Sequence, residues 1–177
     1  MTSYTETMAA LATSTETQVL AAFRSWQEGN ITQADFYAVA AAYLSAAGNR
    51  GTALADVALA AWLSVELGEA VPVLGLLPRQ VDHRPALATI AATTGVDLAA
   101  KFSTHARATT LATAQDAYGQ AMTERSIPGW TRVLNGGACP LCQDLAGDVL
   151  PGDAEMYHHK GCGCTQRPVL NREGTSA

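Results

Sequence analysis

The sequence predicts a mainly α-helical protein: an N-terminal helical bundle or set of extended helices, followed by a small α+β C-terminal module. Three observations lead there. Apolar residues recur at three- and four-residue steps through most of the first 128 residues. The composition is 48% hydrophobic but only 6% aromatic, and much of the apolar share is alanine, which favours thin, closely packed helices over a bulky core. At Pro128 the pattern changes. Gly129, Gly136, Gly137, Gly147, Gly152, Gly161 and Gly163, nearly half of the 15 glycines, and all 4 cysteines follow it, a composition of turns and short strands. The chain thus divides into a helical region (1–128), a C-terminal module (129–170) and a tail (171–177) expected to be mobile.

The elements follow in order. Tyr4, Met8, Leu11, Thr15, Val19, Ala22, Phe23 and Trp26 form one stripe, so the first segment is a long helix. Gly29-Asn30 closes it. Thr32, with Asp35 three residues on, is an N-cap for a second helix that runs to about Ala47 and stops at Gly48-Asn49. A third helix spans Thr52 to Leu67. Leu54, Val57, Ala58, Ala61 and Val65 make one face of it, and Leu59, Trp62 and Leu63 widen that face, as in a central helix. Pro72, Gly75 and Pro78 interrupt the pattern. A shorter helix covers roughly Asp82 to Thr93, with Pro85 tolerated in its first turn. Asp97 to about Arg125 is a long, weakly amphipathic helix. Short connections imply antiparallel neighbours, hence a bundle. His83, at a helix start, reads as solvated or capping, and His105 as a surface or packing residue. Trp26, Trp62 and Trp130 read as core or interface anchors. Trp130 stands where it can pack the C-terminal module onto the helices.

Charge and length exclude several classes. The 177 residues suit one domain, or one with a small appendage. The net charge is −5 with no basic run, which disfavours autonomous DNA or RNA binding. The N-terminus lacks a basic segment followed by an apolar one, so no secretory signal is expected. The longest uncharged run, Phe36 to Asn49, has 14 residues, short of the roughly 20 a membrane span needs. The expectation is a protein made in a reducing cytoplasm, without membrane contact, whose cysteines bind metal rather than form disulfides.

Those cysteines fall into two blocks. Cys139 and Cys142 form a C-x-x-C; His159, Cys162 and Cys164 form an H-x-x-C-x-C, 16 residues further on. A C-x-x-C turn aims two thiolates at one ion, and a second pair from a distant segment completes a tetrahedron. Pro140 stiffens the turn, and Gly161 and Gly163 let the second block approach closely. The favoured reading is a structural zinc, which would stabilise a module too small for a large core. Free thiols and a disulfide are the alternatives. Five candidates compete for four places. Cys139 and Cys142 are the firmest, and His159 is preferred to His158 because its spacing to the cysteines resembles a known pattern described below. Either Cys162 or Cys164 can be the fourth, with a slight lean to Cys164 because H-x4-C leaves more room to bend; four thiolates with His159 outside the set is also possible. No H-E-x-x-H, G-x-S-x-G or phosphate loop is present, and Asp144, Asp148, Asp153 and Glu155 between the blocks have no assigned task. The expectation is a closed, non-catalytic site and no enzyme activity.

In this arrangement the sequence resembles the C-terminal end of the Mu F-like minor head proteins of tailed bacteriophages. That end carries a Trp or Arg, then C-x-x-C-x-x-L-x-G, then H-x-x-C-x-C and a short apolar strand. The matching residues are Trp130, Arg132, Cys139, Cys142, Leu145, Gly147, His159, Cys162, Cys164, Pro168 and Val169. The match covers roughly residues 129–170. The long helix carrying Arg107 and Arg125 is compatible with it. The resemblance implies a virion protein at the portal vertex or inner face of the head, in several copies. Its partners would be the portal protein, the major capsid protein or both, with possible contact to packaged DNA, and its role head assembly or DNA packaging and ejection.

Two other readings use the same residues. One is a zinc-supported nuclease of the His-Asn-His type, with His158 as general base and His159 as ligand, although no convincing downstream Asn and His follow. The other is a zinc-ribbon adaptor for a host protein or DNA, against whose DNA branch the acidic balance counts.

Overall fold

In the computed structural model, residues 3–157, 159 and 162–170 are described. Helix α1 spans Tyr4–Gln27, α2 Gln33–Leu67, α3 Arg84–Ala91 and α4 Leu98–Glu124. The C-terminal part follows as β1 (Gly129–Val133), α5 (Pro140–Asp144), β2 (Leu150–Pro151) and β3 (Thr165–Val169). The protein is mainly helical with a small antiparallel sheet at its C-terminal end, as the sequence predicts.

Local chemistry starts each long helix. Ser3 caps α1 and Thr32 caps α2, each in a reciprocal capping box, with Glu6 and Asp35 respectively. Asp97 accepts a hydrogen bond from the Ala100 N–H and caps α4. The stripe of α1 is inside as expected: Met8, Thr15, Val19, Ala22 and Phe23 are buried. Helices α1, α2 and α4 pack on one another, α3 lies against α2 and α4, and α4 also reaches β3.

Two expectations about the second and third helices fail. Gly48-Asn49 does not end a helix; the chain continues unbroken from Gln33 to Leu67. Gly51 serves packing instead. A Cβ on Gly51 would stand 3.1 Å from Ala114 Cβ, and one on Gly48 3.5 Å from Thr113 Cγ2. Here α2 and α4 pass in close contact: Gly51 leaves little room for a side chain, whereas Gly48 has only ordinary contact and bears the roughly 1 kcal/mol helix penalty of glycine. The inner face of this stretch also differs. Thr52, Ala55, Asp56, Leu59, Ala60 and Leu63 are buried, whereas Val57 and Val65 are 54% and 80% exposed. The unforeseen continuity with Gln33–Ala47 sets which side faces α4.

The core has a bulky end and a thin end. All 3 phenylalanines, Phe23, Phe36 and Phe102, meet at one end with ring centroids 5.0–5.9 Å apart, and Trp26 stacks on Phe36 at 5.2 Å. Toward the other end small residues dominate, and Leu59, Leu63, Tyr118 and Met122 join Trp130, Cys142, Cys162 and Cys164 in one continuous cluster. That cluster crosses Pro128, so the C-terminal elements share core with the helices. Trp130, fully buried, donates from Nε1 to the Ala154 carbonyl at 3.1 Å. His83 occupies the N-cap position of α3 but is buried and makes no side-chain capping bond. It is therefore not solvated, and burial holds its pKa below the usual histidine value.

The segment between α2 and α3 is tied down by a buried carboxylate. Asp56 accepts backbone N–H bonds from Leu74 (2.9 Å), Gly75 (2.7 Å) and Leu76 (3.2 Å). Burial alone would raise its pKa. The three N–H donors and the Arg125 charge outweigh burial and hold it below the usual aspartate value. The same segment is pinned where Arg125 donates to the Pro72 carbonyl.

The sheet has strand order β2-β1-β3, all antiparallel. β1 and β3 pair from Gly129↔Val169 to Val133↔Thr165. Gly152 is a steric requirement here: a Cβ would lie 1.7 Å from the Ile127 carbonyl oxygen.

The two α2 glycines should separate under mutation. Gly48→Ala meets only ordinary contact and should raise stability by up to about 1 kcal/mol through helix propensity. Gly51→Leu should lower it by about 1–3 kcal/mol through overpacking. Denaturant unfolding midpoints measure both. Asp56→Ala should lose about 2 kcal/mol at neutral pH. Because the folded-state pKa of Asp56 is depressed, its contribution is present above the unfolded value of about 4 and fades as pH falls through the folded one. The gap between wild type and Asp56→Ala should therefore narrow on acidification below about pH 4, as urea unfolding across pH would record.

Candidate metal centre

The two cysteine blocks meet beside β1. The first block is the start of α5. Pro140 takes its first helical position, Cys139 its N-cap position, and Cys142 points inward, fully buried. The proline expected to stiffen a turn thus opens a one-turn helix. The second block enters β3. The Cys162 N–H donates to the His159 carbonyl at 3.0 Å in a turn, and Cys162 and Cys164 precede the strand, which begins at Thr165. Gly163 passes close to Asn135: a Cβ there would lie 2.6 Å from Asn135 Nδ2. Gly161 and His158, the latter the base of the nuclease reading, lie outside the described residues.

All five predicted ligands come together. Cys139, Cys142 and His159 form one group, Cys142, Cys162 and Cys164 another, and within each the ligand atoms lie within 4.8 Å of one another. Cys142 belongs to both. His159 Nε2 is 3.2 Å from the sulfurs of Cys139 and Cys142, and the Cys142 and Cys162 sulfurs are 3.6 Å apart. In a tetrahedral zinc site with Zn–S of about 2.3 Å, sulfurs stand about 3.8 Å apart, so the last distance is short enough for the two thiols to share an ion. Cys164 Sγ stands 3.7 Å from Asn135 Oδ1.

The surroundings treat the thiols differently. N–H groups at the start of α5, that of Cys142 foremost, hold the Cys139 thiol below its ordinary pKa. Burial pushes the Cys142 thiol up to about 12, so a metal binding there must displace its proton. Arg132, on β1 and buried, lies with Nη1 3.8 Å from the Cys162 sulfur and 3.9 Å from that of Cys142, while Nη2 donates to the Tyr157 carbonyl at 3.0 Å. Asp144, Asp148, Asp153 and Glu155 are exposed, and neither ligand group contains a carboxylate.

One residue invisible to sequence reasoning anchors the second block. Gln115 of α4 is buried, and its Nε2 donates to the carbonyls of Cys162 (3.2 Å) and Cys164. Nothing in its sequence neighbourhood marks it. Arg132 was legible as part of the motif, but its contact with two sulfurs was not.

Fold and site together define a mainly helical protein with a compact cysteine and histidine cluster, able to hold a metal ion, near its C-terminal end. No family model, no curated protein and no solved structure matches the chain. No helix among the described residues is long and apolar enough to cross a membrane.

Replacing Gln115 by alanine leaves two buried carbonyls without their donor and should destabilise the ligand loop by about 1–3 kcal/mol. Amide exchange at Cys162 to Gln166 should accelerate, while exchange around Phe36, at the aromatic end, stays unchanged.

Proposed function

We propose that this chain is a zinc-clamped structural protein of a tailed bacteriophage head, of the Mu F-like minor head type. The observation that carries this reading is the order Trp130 and Arg132, C-x-x-C-x-x-L-x-G, H-x-x-C-x-C, whose separated cysteine and histidine blocks converge on a space suited to one ion. Thiols and an imidazole are a soft donor set, which favours zinc over magnesium or calcium. Cys139, Cys142 and His159 would hold the ion with a further thiol from Cys162 or Cys164. Bound there, zinc would supply stability by cross-linking the two blocks.

A structural role is supported by the donor count. Five donors for four positions leave no coordination site for a reacting water, and the nearby charged group is a guanidinium rather than a carboxylate base. A protein partner is supported by the surface. Val57, Val65, Leu67, Val73 and Leu77 are each more than half exposed, along α2 and the segment after it, where a portal or capsid protein would dock. The net charge of −5 makes a protein partner a better fit than packaged DNA.

Two measurements test this. Metal analysis of chain purified under reducing conditions should give one zinc per chain, and chelation should lower the thermal midpoint through loss of the C-terminal module. Antibody detection should find the chain in procapsids or virions, co-purifying with portal protein. Absence from both particles would overturn the head assignment and leave the metal assignment standing.

A further inference from the structure

We propose that Asn135 is a self-modification site: its side-chain amide cyclises onto the Gly136 backbone nitrogen, releases ammonia, and leaves an aspartate or a β-linked isoaspartate beside the second cysteine block. This holds whether or not the cluster binds a metal. Asparagine is thermolabile, and the rate of ring closure depends on how freely the next backbone nitrogen can reach the side-chain carbon. Among the described residues the asparagines are Asn30, Asn49 and Asn135, and their settings differ. Asn49 lies inside α2, where helix geometry fixes the backbone on both sides of it. Asn30 precedes the β-branched Ile31, whose side chain crowds the nitrogen. Asn135 precedes Gly136-Gly137 in the loop between β1 and α5. It opens a turn in which the Ala138 N–H donates to the Asn135 carbonyl at 3.1 Å. Among the described residues the Gly136 N–H donates no backbone hydrogen bond, and nothing beyond the chain neighbours stands within 4 Å of where a Gly136 Cβ would be. The nitrogen is uncrowded and unengaged, and glycine has the backbone freedom that ring closure needs.

The step balances with water alone. The Gly136 nitrogen gives its proton to solvent and bonds to Asn135 Cγ; the Cγ–Nδ2 bond breaks, and Nδ2 takes a proton from solvent and leaves as ammonia. Water then opens the ring at either carbonyl. One opening restores the ordinary backbone and leaves a side-chain carboxylate. The other routes the backbone through the side chain and lengthens it by a methylene between β1 and α5. Both products change a built contact. Asn135 Oδ1 lies 3.7 Å from Cys164 Sγ, and Nδ2 packs so close to Gly163 that a Cβ there would stand 2.6 Å away. The ordinary product replaces Nδ2 by an oxygen sharing a negative charge. The isoaspartate also moves α5, with Cys139 at its N-cap and Cys142 within it, relative to the strand that follows Cys164. Either way the modification loosens the junction between the two cysteine blocks.

The test ages the full folded chain in warm, mildly alkaline buffer and maps its peptides by mass spectrometry, with isoaspartate read by enzymatic methylation. The peptide holding Asn135 should gain about 1 Da and become methylatable, while those holding Asn30 and Asn49 stay unchanged over the same period. Gly136→Ala is the control. Its Cβ enters open space, so the fold is kept, as circular dichroism checks, and the reaction should slow several-fold because the added methyl crowds the nitrogen. In the aged chain, amide exchange at Gly163 and Cys164 should accelerate, while exchange around Phe36 stays as before. An Asn135 peptide that keeps its mass while Asn30 or Asn49 reacts, or equal rates in Gly136→Ala and wild type, would overturn the assignment. Unchanged exchange at Gly163 and Cys164 in fully modified chain would overturn its link to the cysteine blocks.

Discussion

One turn of α4 holds the molecule together. Ala114 presents so little side chain that α2 approaches to backbone contact at Gly51. Its carbonyl accepts from the Tyr4 hydroxyl of α1 at 3.2 Å. The next residue, Gln115, reaches the carbonyls on either side of Gly163. Two consecutive residues therefore touch both other long helices and the candidate ligand loop. Each contact needs the others: only a tightly packed bundle brings α4 close enough for a glutamine side chain to span to the loop. This explains why an alanine-rich helix with no pronounced apolar face sits at the centre. Alanine allows close approach on several sides, and close approach makes the polar contacts possible.

The two ends of the bundle are stabilised by different chemistry. At one end Phe23, Trp26, Phe36 and Phe102 bury large ring areas, and aromatic packing is sufficient. At the other, the helices must cover a three-stranded sheet of which β2 is two residues long, too small to be stable alone. Trp130 fills the junction, and the cysteines extend the same cluster outward. Three buried thiols lie there beside the buried Arg132 guanidinium, whose Nη1 is 3.8 and 3.9 Å from two of the sulfurs.

Most elements were legible before the structure. The cap at Thr32, the stripe of α1 and the change at Pro128 are local signals, and each lies where the sequence puts it. The break expected at Gly48-Asn49 was misread because glycine has two uses, ending helices and letting them touch, and only the position of α4 decides between them. The face of α2 failed for a related reason. With apolar residues nearly all round, periodicity leaves the rotation of the helix open. His83 failed because polar flanking residues do not report what a later segment covers.

In the site, the candidate ligands came from sequence and their arrangement from the fold. C-x-x-C and H-x-x-C-x-C spacing defines which side chains can share an ion, since short-range backbone geometry limits where each pair points. That determines the chemistry of the cluster and its five members without reference to the helices. Spacing cannot say how Cys162 and Cys164 divide, because both are within reach. Their surroundings come from Arg132 on β1, near the Cys162 sulfur, Asn135 in the loop after it, near the Cys164 sulfur, and Gln115 on α4, which holds both carbonyls, none of them within 20 residues of Cys162 in the chain. Contacts between residues so far apart in sequence exist only once the chain has folded, so the sequence by itself determined what the cluster is made of, and tertiary structure alone decided what surrounds each of its members.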